Sequence, residues 1–169
     1  MLKEKLEDCG AVKYGEFTLT SGKKSKYYVD IKKASTNPGI LKEIAEQMSE
    51  EVDGTKIAGM ELGAVPLAAA LSLETDVPFL MIRKKKKGHG TGGRIEGDLK
   101  DGEKVVVVED VTTTGGSSIE TVEVLREAGA LVDKVLVVVD REEGAKEALK
   151  DINVELKPLV TATELLENK

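Results

Sequence analysis

The feature that most constrains the fold is a pair of apolar runs, each of which ends in acidic residues. Val105–Val108 is followed directly by Glu109 and Asp110, and Val135–Val139 is followed by Asp140. A strand that is apolar at consecutive positions is buried on both faces, as strands are in a parallel sheet covered by helices. Because ligands bind beyond the carboxyl ends of such strands, these acids mark a candidate ligand site.

The alternation of strand-like and helix-like segments predicts an α/β fold with a doubly wound, mainly parallel sheet and helices on both faces. Residues 1–35 predict a small N-terminal hood with a bent pair of strands, and residues 1–169 together predict a single domain. Asn37 before Pro38 predicts a helix that runs to about Glu51. The other predicted helices are Leu2–Asp8, Val65–Leu73, Ser117–Ala128, Glu143–Lys150 and Glu164–Glu167. The predicted strands of the sheet are Lys56–Met60, Pro78–Ile82, Lys104–Glu109, Lys134–Val139 and Val154–Leu156.

Composition narrows the classes of function. A net charge of −6 over 169 residues argues against a general nucleic-acid or anionic-membrane surface. Three tyrosines, two phenylalanines and no tryptophan leave few platforms on which single-stranded nucleic acid could stack. The single cysteine, Cys9, cannot form an internal disulfide, and no apolar run is long enough to span a membrane or direct secretion. We therefore expect a cytoplasmic protein with small-molecule ligands.

The loop after the first pair of acids, Thr112 to Ser117, consists of hydroxyl residues and glycines and leads into a helix. Backbone N–H groups in such a loop, at the positive end of a helix, suit a phosphate monoester. Glu109 and Asp110 would repel that phosphate, so we expect them to accept hydrogen bonds from the hydroxyls of an attached sugar or to help position a metal. The predicted ligand is a sugar phosphate. The alternative is an ordinary strand–turn–helix joint with a capping serine.

A second constellation, residues 83–93, concentrates five positive charges beside glycines and small polar residues in an otherwise acidic chain. Its glycines match GxGxxG formally, but four lysines separate them from the preceding strand and no helix pattern follows, so we reject a dinucleotide site. A mobile basic loop that closes over a polyanion and delivers Lys87 and His89 to a leaving group fits better. The alternative is a solvated run of charge.

The third constellation is Arg141, which follows Asp140 at the carboxyl end of an apolar strand. A planar guanidinium at this position suits a carboxylate on the ligand, bound through two hydrogen bonds. The alternative is an ion pair with Glu142 or Glu143.

Taken together, these segments resemble the orotate phosphoribosyltransferases over nearly the whole chain. The run from Glu109 to Ser117 is similar to that family's phosphoribosyl-pyrophosphate motif, residues 15–25 to its N-terminal signature, and residues 83–93 to its catalytic loop. The resemblance implies that Glu109 and Asp110 hold the ribose hydroxyls and that Thr112–Ser117 hold the 5′-phosphate.

The resemblance also implies roles for individual residues. It makes Arg83, Lys84, Lys87 and His89 the catalytic residues of the loop, in contact with phosphoribosyl pyrophosphate. The other implied contacts of that substrate are Glu109, Asp110, Val111, Thr112, Thr113, Thr114, Gly115, Gly116 and Ser117. The implied contacts of orotate are Thr113, Arg141 at its carboxylate, and Tyr28 beside its ring, although Tyr28 could equally pack in the strand.

The implied reaction transfers the 5-phosphoribosyl group from phosphoribosyl pyrophosphate to orotate and yields orotidine 5′-phosphate and pyrophosphate, in de novo UMP synthesis. Mg²⁺ is the implied cofactor, held mainly by substrate, with no ligand assigned in the chain. The implied assembly is a homodimer that shares residues 83–93 across its interface. Two alternatives stay open: a phosphoribosyltransferase for purines, which should not need Arg141, and a regulator that binds phosphoribosyl pyrophosphate without turnover.

Two positions depart from the family pattern. Thr20 stands where many bacterial members carry a lysine, and Gly63 stands where they often carry another active-site lysine. Those two contacts are not carried over to this chain.

Overall fold

The fold is built on a six-stranded sheet. In spatial order its strands are β5 (Ile95–Glu96), β4 (Phe79–Ile82), β3 (Lys56–Met60), β6 (Val105–Thr112), β7 (Lys134–Asp140) and β8 (Glu155–Thr161). A computed structural model describes residues 1–86, 88 and 93–169. Neighbouring strands run parallel except β5, which is antiparallel to β4 at the edge.

Helices cover both faces of this sheet, as predicted. The long helices are α3 (Pro38–Ser49), α4 (Ala64–Thr75) and α5 (Gly116–Glu127), with the shorter α6 (Ala145–Lys150). Alternate residues of β6 enter two separate cores: Val106 and Val108 pack with α3 and α4, whereas Val105 and Val107 pack with α5 and α6. Each fully buried valine contributes roughly 1.5–3 kcal/mol relative to exposure, so both faces of the strand stabilise the sheet.

Local chemistry sets the helix boundaries. The Asn37 side chain accepts hydrogen bonds from the backbone of Gly39 at 3.0 Å and Ile40 at 3.2 Å, and Pro38 occupies the first turn, so α3 begins where the sequence predicts. Helix α6 begins at Ala145, two residues later than predicted, because Gly144 has a φ of +112°, which an α-helix cannot contain.

The predicted hood is a separate two-stranded antiparallel sheet of β1 (Val12–Thr18) and β2 (Lys24–Val29), preceded by α1 (Leu2–Asp8). The Tyr14 hydroxyl lies 2.7 Å from a Glu7 carboxylate oxygen and 2.9 Å from the carbonyl oxygen of Leu165. Leu165 belongs to α7 (Ala162–Leu166), so the hood is joined to the last helix of the chain. That the whole chain acts as one domain stays a prediction.

Four further elements, two with longer bounds and two that are new, differ from the sequence prediction. Strand β6 runs three residues further than predicted, because Val111 and Thr112 pair with Val139 and Asp140 of β7. Strand β8 likewise continues to Thr161 rather than ending at Leu156. The five-residue helix α2 (Ile31–Ser35) and the two-residue β5 were not predicted. Among the described residues, no helix is both long and apolar enough to cross a bilayer.

Candidate active site

The carboxyl ends of β3, β6 and β7 meet at one edge of the sheet, where the loop of residues 113–115 carries the chain from β6 into α5. Gly115 has a φ of +92°, and a Cβ built there would lie 3.1 Å from the Cα of Ala145, so the close approach of the two loops favours glycine. The backbone N–H of Ala145 donates to the carbonyl of Thr113 at 3.2 Å. These contacts hold the loop at the N-terminus of a twelve-residue helix.

The predicted phosphate loop is accessible over most of its length. Thr113, Thr114, Gly116 and Ser117 are exposed at the positive end of α5, where backbone N–H groups can meet an anion. Thr112 differs, since it is buried and its hydroxyl donates to Asp140 at 2.9 Å.

The two acids lie in different environments at the end of β6. Glu109 is 6% exposed, and its carboxylate accepts hydrogen bonds from the Ser118 hydroxyl at 3.3 Å and the Asp110 backbone at 3.2 Å. Burial raises the pKa of Glu109 to about 8, and the nearby Asp110 carboxyl contributes to the same shift. Asp110 is half-buried, so it is the acid that a ligand in the cleft can reach.

Asp110 also explains the glycine at position 63. A Cβ built on Gly63 would lie 2.1 Å from Oδ2 of Asp110, a distance that no side chain can occupy without moving the carboxylate. Gly63, just after β3, and Asp110 of β6 can therefore lie close together because position 63 has no side chain. A side chain at position 63 would displace the Asp110 carboxylate here.

The base of the basic loop is tied to the sheet. Arg83 forms an ion pair with Glu96 at 2.8 Å, and the Lys84 backbone donates to the Glu61 carboxylate at 2.9 Å. Arg94 donates to the carbonyl of Arg83 and pairs with Glu120 of α5. The side chain of Lys84 is exposed. The two other predicted loop residues, Lys87 and His89, lie outside the described residues.

The three residues predicted to contact orotate line one cavity of about 440 Å³. Tyr28 comes from the hood, Thr113 from the phosphate loop, and Arg141 from the loop after β7. The Tyr28 ring lies 5.8 Å from the ring of Phe17, centroid to centroid, and is 42% exposed, so part of it is open to a ligand. Thr20 and Lys23, in the turn between β1 and β2, line the same cavity.

Arg141 is buried at 8% exposure, and its guanidinium is held from three directions. Its Cζ lies 4.1 Å from the centroid of the Tyr27 ring, its Nη2 donates to the Ser25 hydroxyl at 3.1 Å, and its Nε donates to Glu143 at 3.3 Å. The ion pair considered as an alternative is thus present, but it lies in the cavity wall rather than on the open surface.

Sequence reasoning missed Lys23, Ser25, Tyr27 and Glu143 as individual site residues. Ser25 and Lys23 belong to the N-terminal signature, but their proximity to Arg141 depends on how the hood packs on the sheet. The sequence alone predicts Glu143 only as a surface ion-pair partner of Arg141. The sequence does not distinguish Glu143 from its neighbour Glu142. The Glu142 carboxylate instead accepts a hydrogen bond from the Thr163 backbone at 2.8 Å.

The donor set at this edge is compatible with Mg²⁺ held mainly by substrate. Among the residues that the structure describes, no cluster of three or more histidine, cysteine or acidic side chains could form a protein cage for a metal. Mg²⁺ commonly takes one or two carboxylates together with substrate phosphates and waters, and Asp110, half-buried beside Glu109, offers such a carboxylate.

The sheet, the hydroxyl-and-glycine loop at a helix N-terminus and the adjacent acids define the class: an α/β domain of the sugar-phosphate-binding type. Residues 31–162 match the family described as "Phosphoribosyl transferase domain". An orotate phosphoribosyltransferase of Methanocaldococcus jannaschii is 57% identical over 162 residues, which cover 95% of this chain and 92% of that protein.

Solved structures agree with the sequence relatives. A crystal structure of orotate phosphoribosyltransferase from Aeropyrum pernix is 38% identical, with a TM-score of 0.87, and the match covers 99% of this chain and 97% of that one. The Mycobacterium tuberculosis enzyme, in complex with 5-phospho-alpha-D-ribosyl 1-diphosphate, is 30% identical with a TM-score of 0.70 over 81% of this chain and 82% of that one. This chain belongs to the phosphoribosyltransferase family and, within it, to the orotate phosphoribosyltransferases.

Proposed function

We propose that this chain transfers the 5-phosphoribosyl group from phosphoribosyl pyrophosphate to a ring nitrogen of orotate, releasing orotidine 5′-phosphate and pyrophosphate in the synthesis of UMP. The observation that carries the proposal is the cavity that joins Arg141, Thr113 and Tyr28 beside the phosphate loop. A flat, carboxylate-bearing base fits this combination of a cation, a hydroxyl and an aromatic ring. One cysteine and an acidic charge suit the cytoplasm, where we expect the enzyme to work.

In this proposal, the phosphoribosyl donor, phosphoribosyl pyrophosphate, binds at the carboxyl edge of the sheet. The 5′-phosphate accepts hydrogen bonds from the loop of residues 113–117, where the helix dipole of α5 favours negative charge. Asp110 accepts hydrogen bonds from the ribose hydroxyls, and Glu109, buried behind it, supports the position of Asp110 through the hydrogen bond from the Asp110 backbone. The ribose C1 then points towards the orotate cavity.

The base is held at its carboxylate. Arg141 is desolvated, stacked on Tyr27 and hydrogen-bonded to Ser25, so its guanidinium is pre-oriented before the ligand arrives. Thr113 belongs to the phosphate loop and also lines the cavity. An orotate ring bound in the cavity therefore lies close to the ribose. No side chain is required as a nucleophile, because the orotate ring nitrogen itself attacks C1.

As the C1–O bond breaks, positive charge grows on the ribose and negative charge on the departing pyrophosphate. Cations that contact the leaving group stabilise it more in the transition state than in the ground state. We assign this role to Lys84, Lys87 and His89 of the basic loop, with Arg83 at its base. Mg²⁺, when bound, would neutralise charge on the diphosphate, and Asp110 is a carboxylate of this chain that could help to hold it.

We further propose a homodimer in which residues 83–93 serve the partner's site. One surface favours a second copy of this chain: the outer face of α4 and its flanks, where Leu62 is 71% exposed, Leu73 is 88% exposed and Met81 is 41% exposed. Met81 lies on the α4 side of the sheet, because it shares a face with Ile57, which packs in the core with α3 and α4. The same strand continues directly into Arg83, so an interface here would bring the loop beside the neighbouring subunit.

A panel of free bases tests the reaction against its two rivals. Each base, orotate, adenine, hypoxanthine and guanine, is incubated with phosphoribosyl pyrophosphate, and released pyrophosphate is measured. We expect release with orotate alone. Release with a purine would favour the purine-type transferase, and binding of phosphoribosyl pyrophosphate without release on any base would favour the regulator.

A further inference from the structure

The Glu143 carboxylate occupies the same guanidinium that the substrate carboxylate would need. Its Oε2 accepts from Nε of Arg141 at 3.3 Å, and both side chains line the cavity of about 440 Å³. The Arg141 side chain is 7% exposed, whereas that of Glu143 is 35% exposed. The ion pair therefore joins a fixed cation in the wall to an anion at the cavity rim.

The surrounding loop is anchored without help from the Glu143 side chain. The Arg141 backbone donates to the carbonyl of Thr112 at 2.9 Å, and the Glu142 backbone donates to Asp140 at 3.1 Å. The Glu142 carboxylate binds the Thr163 backbone. Within the described part of the chain, Arg141 is the one hydrogen-bonding or ion-pairing partner of the Glu143 carboxylate. Glu143 can therefore swing away while the loop stays in place.

Arg141 does not depend on Glu143 for its orientation. The Tyr27 ring stacks on the guanidinium and Ser25 accepts from Nη2. A guanidinium has five N–H groups. In Arg141, Nε donates to Glu143 and one N–H of Nη2 donates to Ser25. The other three N–H groups, including both on Nη1, have no acceptor among the described residues. A substrate carboxylate that used them would share one cation with Glu143, and two anions on one buried cation repel each other.

We propose, on the basis of the function inferred above, that Glu143 is a built-in competitor for the orotate carboxylate: it neutralises Arg141 in the empty site, is displaced when orotate binds, and returns to speed release of the product. The product, orotidine 5′-phosphate, keeps the carboxylate, so the competition acts on substrate and product alike. Glu143 thus sets affinity through charge and determines how strongly the carboxylate contributes to recognition.

The test compares Glu143→Gln with the native enzyme and with Glu147→Gln. Glu147 is an exposed acid in the first turn of α6 outside the cavity, so its variant makes the same change in net charge. Three constants are measured. The KM for orotate and the inhibition constant of uracil, which has the ring without the carboxylate, are measured at saturating phosphoribosyl pyrophosphate. The inhibition constant of orotidine 5′-phosphate is measured at subsaturating phosphoribosyl pyrophosphate, because the two compete for the phosphate loop.

In Glu143→Gln we expect the orotate KM and the orotidine 5′-phosphate inhibition constant to fall together by about three- to tenfold, since a partly exposed competing charge is removed. The uracil constant and all three constants of Glu147→Gln should stay at native values. An orotate KM that rises or does not change overturns the proposal, as does an equal fall for uracil. A native enzyme that consumes no orotate would refute the proposed function instead, so the two failures are distinct.

Discussion

The hydroxyl of Thr112 donates a hydrogen bond of 2.9 Å to the Asp140 carboxylate, and both residues are buried. The bond joins the last residue of β6 to the last residue of β7, where the two strands also pair in register. The phosphate loop and the Arg141 loop start from these two residues. Their relative position is therefore set by one buried side-chain contact in addition to the backbone ladder.

Thr112→Val should lower the free energy of unfolding by roughly 1–3 kcal/mol, because the buried Asp140 carboxylate loses a donor. In a chain of this size that corresponds to a fall in Tm of about 2–4 °C per kcal/mol. Thr112→Ser keeps the hydroxyl and is the matched control. The KM for phosphoribosyl pyrophosphate should stay near its native value, and a large rise would mean that the Thr112 hydroxyl contacts the phosphate directly.

Arg141→Ala should weaken orotate binding by roughly 2–5 kcal/mol, since the substrate carboxylate would lose a desolvated partner, and should leave donor binding nearly intact. The orotate affinity of Arg141→Lys, which keeps the charge but loses the planar guanidinium, should lie between those of the native enzyme and Arg141→Ala. Separate titrations of orotate and of phosphoribosyl pyrophosphate measure both effects. Unchanged orotate affinity with a collapse of donor affinity would place the arginine at the wrong end of the cleft.

Stability should depend on the pH through Glu109. Burial raises the pKa of this carboxyl to about 8 in the folded protein, against an ordinary value of 4.5. Between pH 4.5 and about pH 8 the folded state therefore binds more protons than the unfolded state. The stability that comes from the neutral carboxyl is complete below the unfolded-state pKa and is lost as the pH rises through the folded-state pKa. Glu109→Gln should show a shallower loss of unfolding free energy from about pH 5 to about pH 8 in urea titrations. Parallel curves for the two proteins would contradict this prediction.

Lys87→Ala should lower turnover by about 10²–10³-fold, the usual scale for removing one group that stabilises developing charge. If the loop serves the partner subunit, mixtures of Lys87→Ala and Asp110→Asn chains should regain activity, because one of the two sites in each heterodimer then has a native loop and native acids. Both parents must be nearly inactive, and the chains must be unfolded and reassembled together. A mixture as inactive as its parents would mean that each subunit closes its own loop over its own site, or that the protein works as a monomer.

Much of the scaffold follows from local sequence patterns. The apolar runs Val105–Val108 and Val135–Val139 predict buried parallel strands, and the acids after them lie at the edge where ligands bind in such sheets. The start of α3 follows from Asn37 and Pro38. The family and the fold class predicted from the motifs are confirmed by the relatives and the solved structures.

What could not be predicted depends on contacts between distant segments. Asp110 and Thr112 have the composition of a loop, yet they extend β6 because β7 offers backbone partners. Strand β5 is two residues long and exists only through its pairing with β4. The hood brings Ser25 and Tyr27 onto Arg141 across more than a hundred residues of chain, and no local pattern reports such a contact.

The most direct test of the proposed chemistry is the loss of orotate absorbance in the presence of phosphoribosyl pyrophosphate, with Mg²⁺ and with excess chelator. Orotate should disappear only when the donor and a divalent metal are both present, because an unshielded pyrophosphate is a poor leaving group beside Glu109 and Asp110. Equal turnover in chelator would contradict the role of the metal. No loss of orotate under any of these conditions would contradict the proposed function itself.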